Sequence, residues 1–264
     1  MYEFTYHKAA SLDDAAKALA ANEDAKLVAG GMTLIPTLKQ RLAKPSDLID
    51  LAAVPGLKGI TEEGGGLRIG AMTRHVEVQR SDVVKRVIPA LAALAGMIGD
   101  PAVRNRGTIG GSISNNDPAA DYPSAVVGLG ATVVTNRREI VGDDFFTGMF
   151  ETALAPDEIV TAVKFPKADA AAYQKFKNPA SRYAIVGVFV AKTGGNVRVA
   201  VTGAGPCVFR VPEMEAALAK SFSPDAIKDI AIPEDGLNTD IHASAEYRAH
   251  LVNVMARRAV AACA

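Results

Sequence analysis

Cysteine is nearly absent from this chain, with only Cys207 and Cys263 among 264 residues, and tryptophan is missing altogether. The two cysteines lie far apart and form no CxxC pair, so thiolates of this chain build neither a structural zinc site nor an iron–sulfur cluster. Any such cluster has to sit on a partner. None of the four histidines stands near a second histidine or a cysteine at ligand spacing, which argues against a metal centre. The longest apolar run, "AIVGVFVA", is far too short to span a membrane. The opening "MYEFTYHKAASLDD" carries acids where a secretory leader needs an apolar stretch. Blocks of one charge are also missing: 29 Lys and Arg balance 29 Asp and Glu, so no nucleic-acid surface or polybasic anchor is indicated. A cytoplasmic protein with a small ligand is expected.

What is present suits a folded protein. At 49% hydrophobic and 22% charged, the chain can bury one large core or two to three small ones. "SLDDAAKALA" starts with a capping serine and predicts a first helix. "AKLVAGG" reads as a short strand ended by glycines, "TLIPTLKQRL" as a helix with Pro36 tolerated in its first turn, and "DLIDL" as a strand. After a Gly-rich turn, "EEGGGLRIGAMT", helical patterns follow at "RHVEVQRSD" and "VVKRVIPALAALAGM". "ATVVTN", the segment around "REIVGDDFF" and "DEIVTAVKFP" form a strand-rich stretch, and Pro166 with "KADAAA" reads as a linker. "YQKFKN", "YAIVGVFVAK" and "NVRVAVTGAG" are strands, the last two joined at "TGG" as a hairpin. The tail is helical. Segregated runs of strands and helices predict an α+β protein of two or three subdomains.

Two segments invite a ligand. In "AGGMT", Ala29 to Thr33, a double glycine after a strand lets successive backbone N–H groups point at one spot, and a helix start follows. "TIGG", Thr108 to Gly111, repeats the construction. The residues after it, "SISNNDPAAD", supply hydroxyls, amides and carboxylates able to hold ribose hydroxyls and an adenine edge. Each segment is equally readable as a turn or an Asx-rich surface loop. Neither fits GxGxxG or GxxxxGK[ST], which removes the main support for a Rossmann fold or a nucleotide hydrolase. Arg104 and Arg106 are open to a phosphate-clamping or an interface role. No nucleophile elbow or Ser/His/Asp pattern stands out, so the chemistry belongs to a cofactor.

The segments "AGGMTLIPTLKQRLAKPSDLIDL", "IGDPAVRNRGTIGGSISNNDPAADYPSA", "FFTGMFETALAPDEIVTAVKFP" and "YQKFKNPASRYAIVGVFVA", with the closing "HASAEYRAHLVNVMARRAV", follow one another in an order that resembles a known family. It is the FAD-binding medium subunit of the molybdenum hydroxylases, the family of carbon monoxide dehydrogenase and xanthine dehydrogenase. The resemblance implies an FAD-binding fold of the vanillyl-alcohol oxidase type in two subdomains, residues 1–53 and 54–166. A C-terminal α+β subdomain, residues 167–264, would add a three-stranded sheet and helices. It further implies that Ala29, Gly30, Gly31, Met32 and Thr33 wrap the FAD pyrophosphate from one side, and Thr108, Gly110 and Gly111 from the other. Asp121 would hold a ribose or the adenosine side with Asn115 close by. Val160 would be a backbone and apolar contact. Lys175 would approach the flavin's polar edge, where a positive charge favours a negatively charged ring, and Tyr183 would lie beside that ring.

Many members carry His and Ser at the positions of Met32 and Thr33, and Asn at that of Ser112; binding through backbone N–H groups is expected to survive these changes. The implied partners are a large molybdopterin-containing subunit and a small [2Fe–2S] subunit, assembled as a dimer of heterotrimers. In that reading this chain relays electrons through FAD and has no catalytic acid or base. A free-standing flavin oxidoreductase of the same fold and a non-catalytic scaffold subunit are the competing readings.

Overall fold

The computed structural model describes residues 1–263. Its first unit holds strand β1 (Thr5–Lys8), helix α1 (Leu12–Ala21), β2 (Lys26–Val28), α2 (Leu34–Lys39) and β3 (Asp47–Asp50). The three strands form a parallel sheet in the order β1-β3-β2. The Ser11 hydroxyl accepts the Asp14 N–H and starts α1 as its sequence predicts. Strand β1 was not expected, because all four of its residues are exposed and no apolar alternation marks it.

The middle unit starts with β4 (Ile60–Glu63) and β5 (Gly66–Gly70). These make a hairpin around Gly64 and Gly65, both at positive φ, where the sequence suggested only a turn. Helices α3 (His75–Arg80), α4 (Asp82–Val87) and α5 (Pro89–Met97) follow, the Ser81 hydroxyl capping α4 and Pro89 starting α5. Next come α6 (Pro101–Arg106), α7 (Ile109–Asn115) and α8 (Tyr122–Gly128), then β6 (Thr132–Thr135), β7 (Glu139–Val141), α9 (Gly142–Phe145), β8 (Phe146–Gly148), β9 (Glu151–Thr152) and β10 (Val160–Phe165). Antiparallel pairing gives the sheet order β4-β5-β10-β6-β7. Leu67, Ile69, Val133 and Val163 of this sheet share one core with Leu91, Leu94, Ile109 and Val126 of the helices.

In the last unit β11 (Ala170–Lys177), β12 (Ala184–Thr193), β13 (Asn196–Thr202) and β14 (Phe209–Arg210) make an antiparallel sheet. The expected three strands are therefore four, because two residues, Phe209 and Arg210, add a short edge that no sequence run announces. The alanine-rich stretch read as a linker is the start of β11, with Ala170 to Ala172 paired to Lys192 to Val190. Strand β12 is apolar on both faces because both are covered. Val186, Val188 and Val190 pack toward α10 (Pro212–Lys220) and α11 (Ala245–Ala262), while Phe189 and Ala191 join the core of the middle unit. Among the described residues no helix is long and apolar enough to cross a membrane, and no group of three or more His, Cys, Asp or Glu is arranged to hold a metal.

One buried carboxylate ties the β6–β7 turn to the loop before β10. Glu158 accepts hydrogen bonds from the Thr135 hydroxyl (2.7 Å), from Arg138 Nε and Nη2 (3.0 Å each) and from the Ala155 N–H (3.0 Å). These bonds, Arg138 first, hold its carboxyl down to about 2 against the opposing effect of burial. A depressed carboxylate stabilises the fold above its unfolded pKa, and that stabilisation fades as pH falls toward the folded value. Glu158→Gln is expected to cost roughly 2 kcal/mol near neutral pH, allowing for the half-exposed Arg138. The gap to the parent in chemical denaturation should narrow as pH drops from about 4.5 toward about 2.

Candidate functional site

The two glycine segments meet at a point where a side chain has no room. A Cβ on Gly30 would lie 2.2 Å from the Arg106 carbonyl oxygen and 2.8 Å from Gly107 Cα. The loop after β2 is thus pressed against the backbone that leads into α7. Gly31 adopts φ +72° and turns the chain into α2, with the Ile35 N–H returning to its carbonyl. A Cβ on Gly111 would face Ala29 Cβ at 3.7 Å, so a second glycine borders the same seam.

The second segment is not a loop. "IGGSISN" is helix α7, with Gly110 and Gly111 inside its first turn and Thr108 as its cap, the hydroxyl accepting the Gly111 N–H at 3.2 Å. Asn116, at φ +42°, ends the helix, and its side-chain amide donates to the carbonyls of Gly148 and Glu151. The run 71–75 sews this helix start onto the end of β5: Gly110 N–H donates to Ala71 (2.8 Å), Ile109 N–H to Thr73 (3.0 Å) and His75 N–H to Gly107 (3.0 Å). Gly110 has a structural task in this packing. Its N–H is already spent, and a Cβ there would stand 2.5 Å from Ala71 Cβ. Gly110 is glycine so that α7 can approach β5.

The donors left over belong to the first segment. Among the described residues, the backbone N–H groups of Ala29, Gly30, Gly31, Met32 and Thr33 have no protein acceptor, and the exposed Thr33 hydroxyl caps nothing. A run of consecutive N–H groups without a protein acceptor on a glycine turn is the kind of donor set that nests an anion. They lie beside Thr108, whose hydroxyl accepts one bond and keeps its own proton to donate. The arrangement fits a pyrophosphate group.

Beneath the seam lies His75, buried with its ring 5.3 Å from that of Tyr122. Burial and the nearby Arg104 hold it down at about 4, so it is neutral near pH 7. Neither His75 nor Tyr122 was singled out as a ligand by the sequence, and no local motif marks them. Arg104 donates to the Ile98 carbonyl at 2.6 Å, which gives it a structural task.

Other expected contacts divide. Asp121 is only 5% exposed, and its oxygens are held by the Tyr173 hydroxyl at 2.5 Å and the Lys175 ammonium at 2.9 Å. Burial pulls the Asp121 carboxyl up, against Lys175 and Tyr173. Both of its oxygens thus have protein partners, Oδ1 in Tyr173 and Oδ2 in Lys175. Lys175 is sealed in the same pair and reaches the Met97 carbonyl at 3.3 Å. Val160 is buried in the middle core, so its side chain offers no surface to a ligand. Asn115, in the last turn of α7, and Tyr183, 51% exposed, remain accessible.

Two family descriptions match this architecture. Residues 2–168 match the "FAD binding domain in molybdopterin dehydrogenase" and residues 171–263 the "CO dehydrogenase flavoprotein C-terminal domain". The chain belongs to this FAD-binding family. It is an oxidoreductase subunit of the medium, FAD-carrying type, and its cofactor is FAD. It is 38% identical to the nicotine 6-hydroxylase medium subunit of Paenarthrobacter nicotinovorans, over 97% of this chain and 95% of that one. It is 35% identical to the glyceraldehyde dehydrogenase medium chain of Sulfolobus acidocaldarius, over 97% of each. A solved carbon monoxide dehydrogenase from Hydrogenophaga pseudoflava superposes with a TM-score of 0.88 at 35% identity, over 99% of this chain and 97% of that chain.

The tight seam between the glycine segments makes a stability prediction. Gly30→Ala drives a Cβ into backbone that cannot step aside and is expected to destabilise the fold by roughly 2–3 kcal/mol in thermal unfolding. Gly195→Ala, at a hairpin turn with open space around it but a positive φ, should cost only about 1 kcal/mol.

Proposed function

We propose that this chain is the FAD-carrying electron-transfer subunit of a cytoplasmic, heterotrimeric molybdenum hydroxylase. Electrons released at a large molybdopterin-containing subunit pass through [2Fe–2S] clusters of a small subunit, reach this chain and leave to an external acceptor; two trimers pair in the complete enzyme. The observation that carries the reading is the row of unpaired N–H groups from Ala29 to Thr33 next to the Thr108 cap. FAD supplies the two-electron storage that joins one-electron iron–sulfur carriers to a two-electron acceptor.

The residues of this chain bind and orient. Ala29, Gly30, Gly31, Met32 and Thr33 donate backbone N–H groups to the pyrophosphate, and Thr108 adds its hydroxyl proton while capping α7. Met32 needs no polar side chain for this, since its backbone does the work. Gly111 keeps the seam free of a side chain, and Asn115 offers an amide one helical turn further on. Lys175 supplies a fixed positive charge whose position Asp121 and Tyr173 set, and Tyr183 presents an exposed ring to a planar partner. The units 1–53, 54–166 and 167–264 then act as two walls and a cap.

The substrate lies with the large subunit in this reading. Relatives whose names carry substrates as different as nicotine and glyceraldehyde resemble this chain at 38% and 35% identity, which is expected if this subunit never meets the substrate. The purified chain should show the visible absorption of bound flavin, or gain it on adding FAD. A colourless protein that takes up no FAD would sink the proposal. Gly111→Val should keep the fold by circular dichroism and weaken FAD binding about ten-fold or more, because the added side chain enters the seam; undiminished affinity would count against the placement of the pyrophosphate.

A further inference from the structure

His75 and Tyr122 form a buried titratable pair to which the binding reading above gives no task. His75 is 4% exposed and Tyr122 fully buried, and their rings lie 5.3 Å apart. His75 Nδ1 and the Tyr122 hydroxyl have no hydrogen-bond partner among the described residues. Two orphaned polar atoms in one core oppose folding, so they call for an explanation outside packing. Their place supplies one. A Cβ on Gly107 would stand 2.6 Å from His75 Nε2 and 2.9 Å from its Cδ2, and the His75 N–H donates to the Gly107 carbonyl at 3.0 Å. Gly107 is also the residue against which Gly30 is pressed. One residue without a side chain thus separates the imidazole from the row of N–H groups at 29–33.

The charges around this ring come from few elements. Helix α6 contributes Arg104, which has no carboxylate partner among the described residues and opposes a proton on His75; Arg106 of the same helix is exposed. Helices α5 and α7 contribute no charged residue. From α8 comes Tyr122, while Asp121 just before it is turned to Tyr173 and Lys175. Within α3 Glu77 is paired with Arg74, and within α4 Asp82 with Lys85, all of them at the surface. No carboxylate of these elements is left to balance a charged imidazole, and His75 is neutral near pH 7.

A bound pyrophosphate changes that balance. It brings negative charge to the glycine segment, and a nearby opposite charge favours the protonated ring. Protonation gives both ring nitrogens an N–H. The orphaned Nδ1 then becomes a donor, and the unpartnered oxygen of the adjoining Tyr122 is an acceptor. We propose that His75 takes up a proton when the FAD pyrophosphate occupies the glycine segment, so that FAD binding is linked to pH through this residue. The inference rests on the placement of the pyrophosphate given above. No electron moves in this step: one proton leaves the solvent and ends on the imidazole. A ligand that prefers the protonated form binds more tightly as pH falls below the bound-state pKa, and the gain stops once the free ring is itself protonated, at about 4.

Binding can be measured without turnover. The full chain, freed of FAD, is titrated with oxidised FAD from about pH 8 to about pH 5, a range in which neither the pyrophosphate nor the oxidised flavin ring changes charge. Affinity should rise about three-fold or more between about pH 7 and about pH 5. Calorimetry should show the proton uptake as a heat that depends on the ionisation enthalpy of the buffer. His75→Phe should bind FAD with nearly the same affinity at both ends of that interval, as should His75→Gln, the second variant in case the first does not fold. In the parent, the His75 ring signal, assigned by NMR through its own backbone amide, should titrate at a higher pH with FAD bound than without it. A ring signal unmoved by FAD, or a rise in affinity that survives undiminished in a folded variant, overturns the proposal. A parent chain that takes up no FAD at any pH would defeat the function proposed above. The same NMR titration with inorganic pyrophosphate would then still decide this inference, a raised His75 titration supporting it and an unmoved one overturning it.

Discussion

The approach of Gly30 to the backbone of Arg106 and Gly107 is the constraint on which the rest of the site depends. At 2.2 Å from a carbonyl oxygen, a Cβ is impossible, and two units that share no sheet are brought into backbone contact. The same contact sets the unpaired N–H groups of 29–33 beside the cap of α7. On the far side, α7 is fixed to β5 by the donors of Ile109 and Gly110. One face of the seam is therefore rigid and its donors are spent. The other face keeps its donors unspent because no protein acceptor reaches them.

A second constraint joins the middle unit to the last. Asp121 at the start of α8 is buried with Tyr173 and Lys175 of β11. A buried pair of this kind is weak as a net source of stability but costly to break, because one charge would be left without a partner. It acts as a locating pin. The apolar contact of Phe189 with Gly128 and the burial of β12 on both faces supply the area around that pin.

Much of the fold was legible in the sequence. The capped α1, the strand runs that become β6 and β10, and the "TGG" hairpin are local signals, and each is realised. β1 was hidden because its four residues are all exposed, β14 because two residues carry no periodicity. The second glycine segment was misread as a loop because glycine and Asn-rich runs favour turns. The cap on Thr108 and the packing on Ala71 override that preference and make it a helix.

The sequence by itself determined that two distant cysteines supply too few thiolates for a cluster, that no nucleophile motif stands out, and where the two glycine segments lie. These are properties of residue type and order. Only the tertiary structure decided what each glycine is for. Whether an N–H is free depends on acceptors far away in sequence: Ala71 consumes that of Gly110, while nothing reaches those of Gly30 and Gly31. The same holds for Asp121, whose carboxylate is claimed from more than fifty residues away by Tyr173 and Lys175.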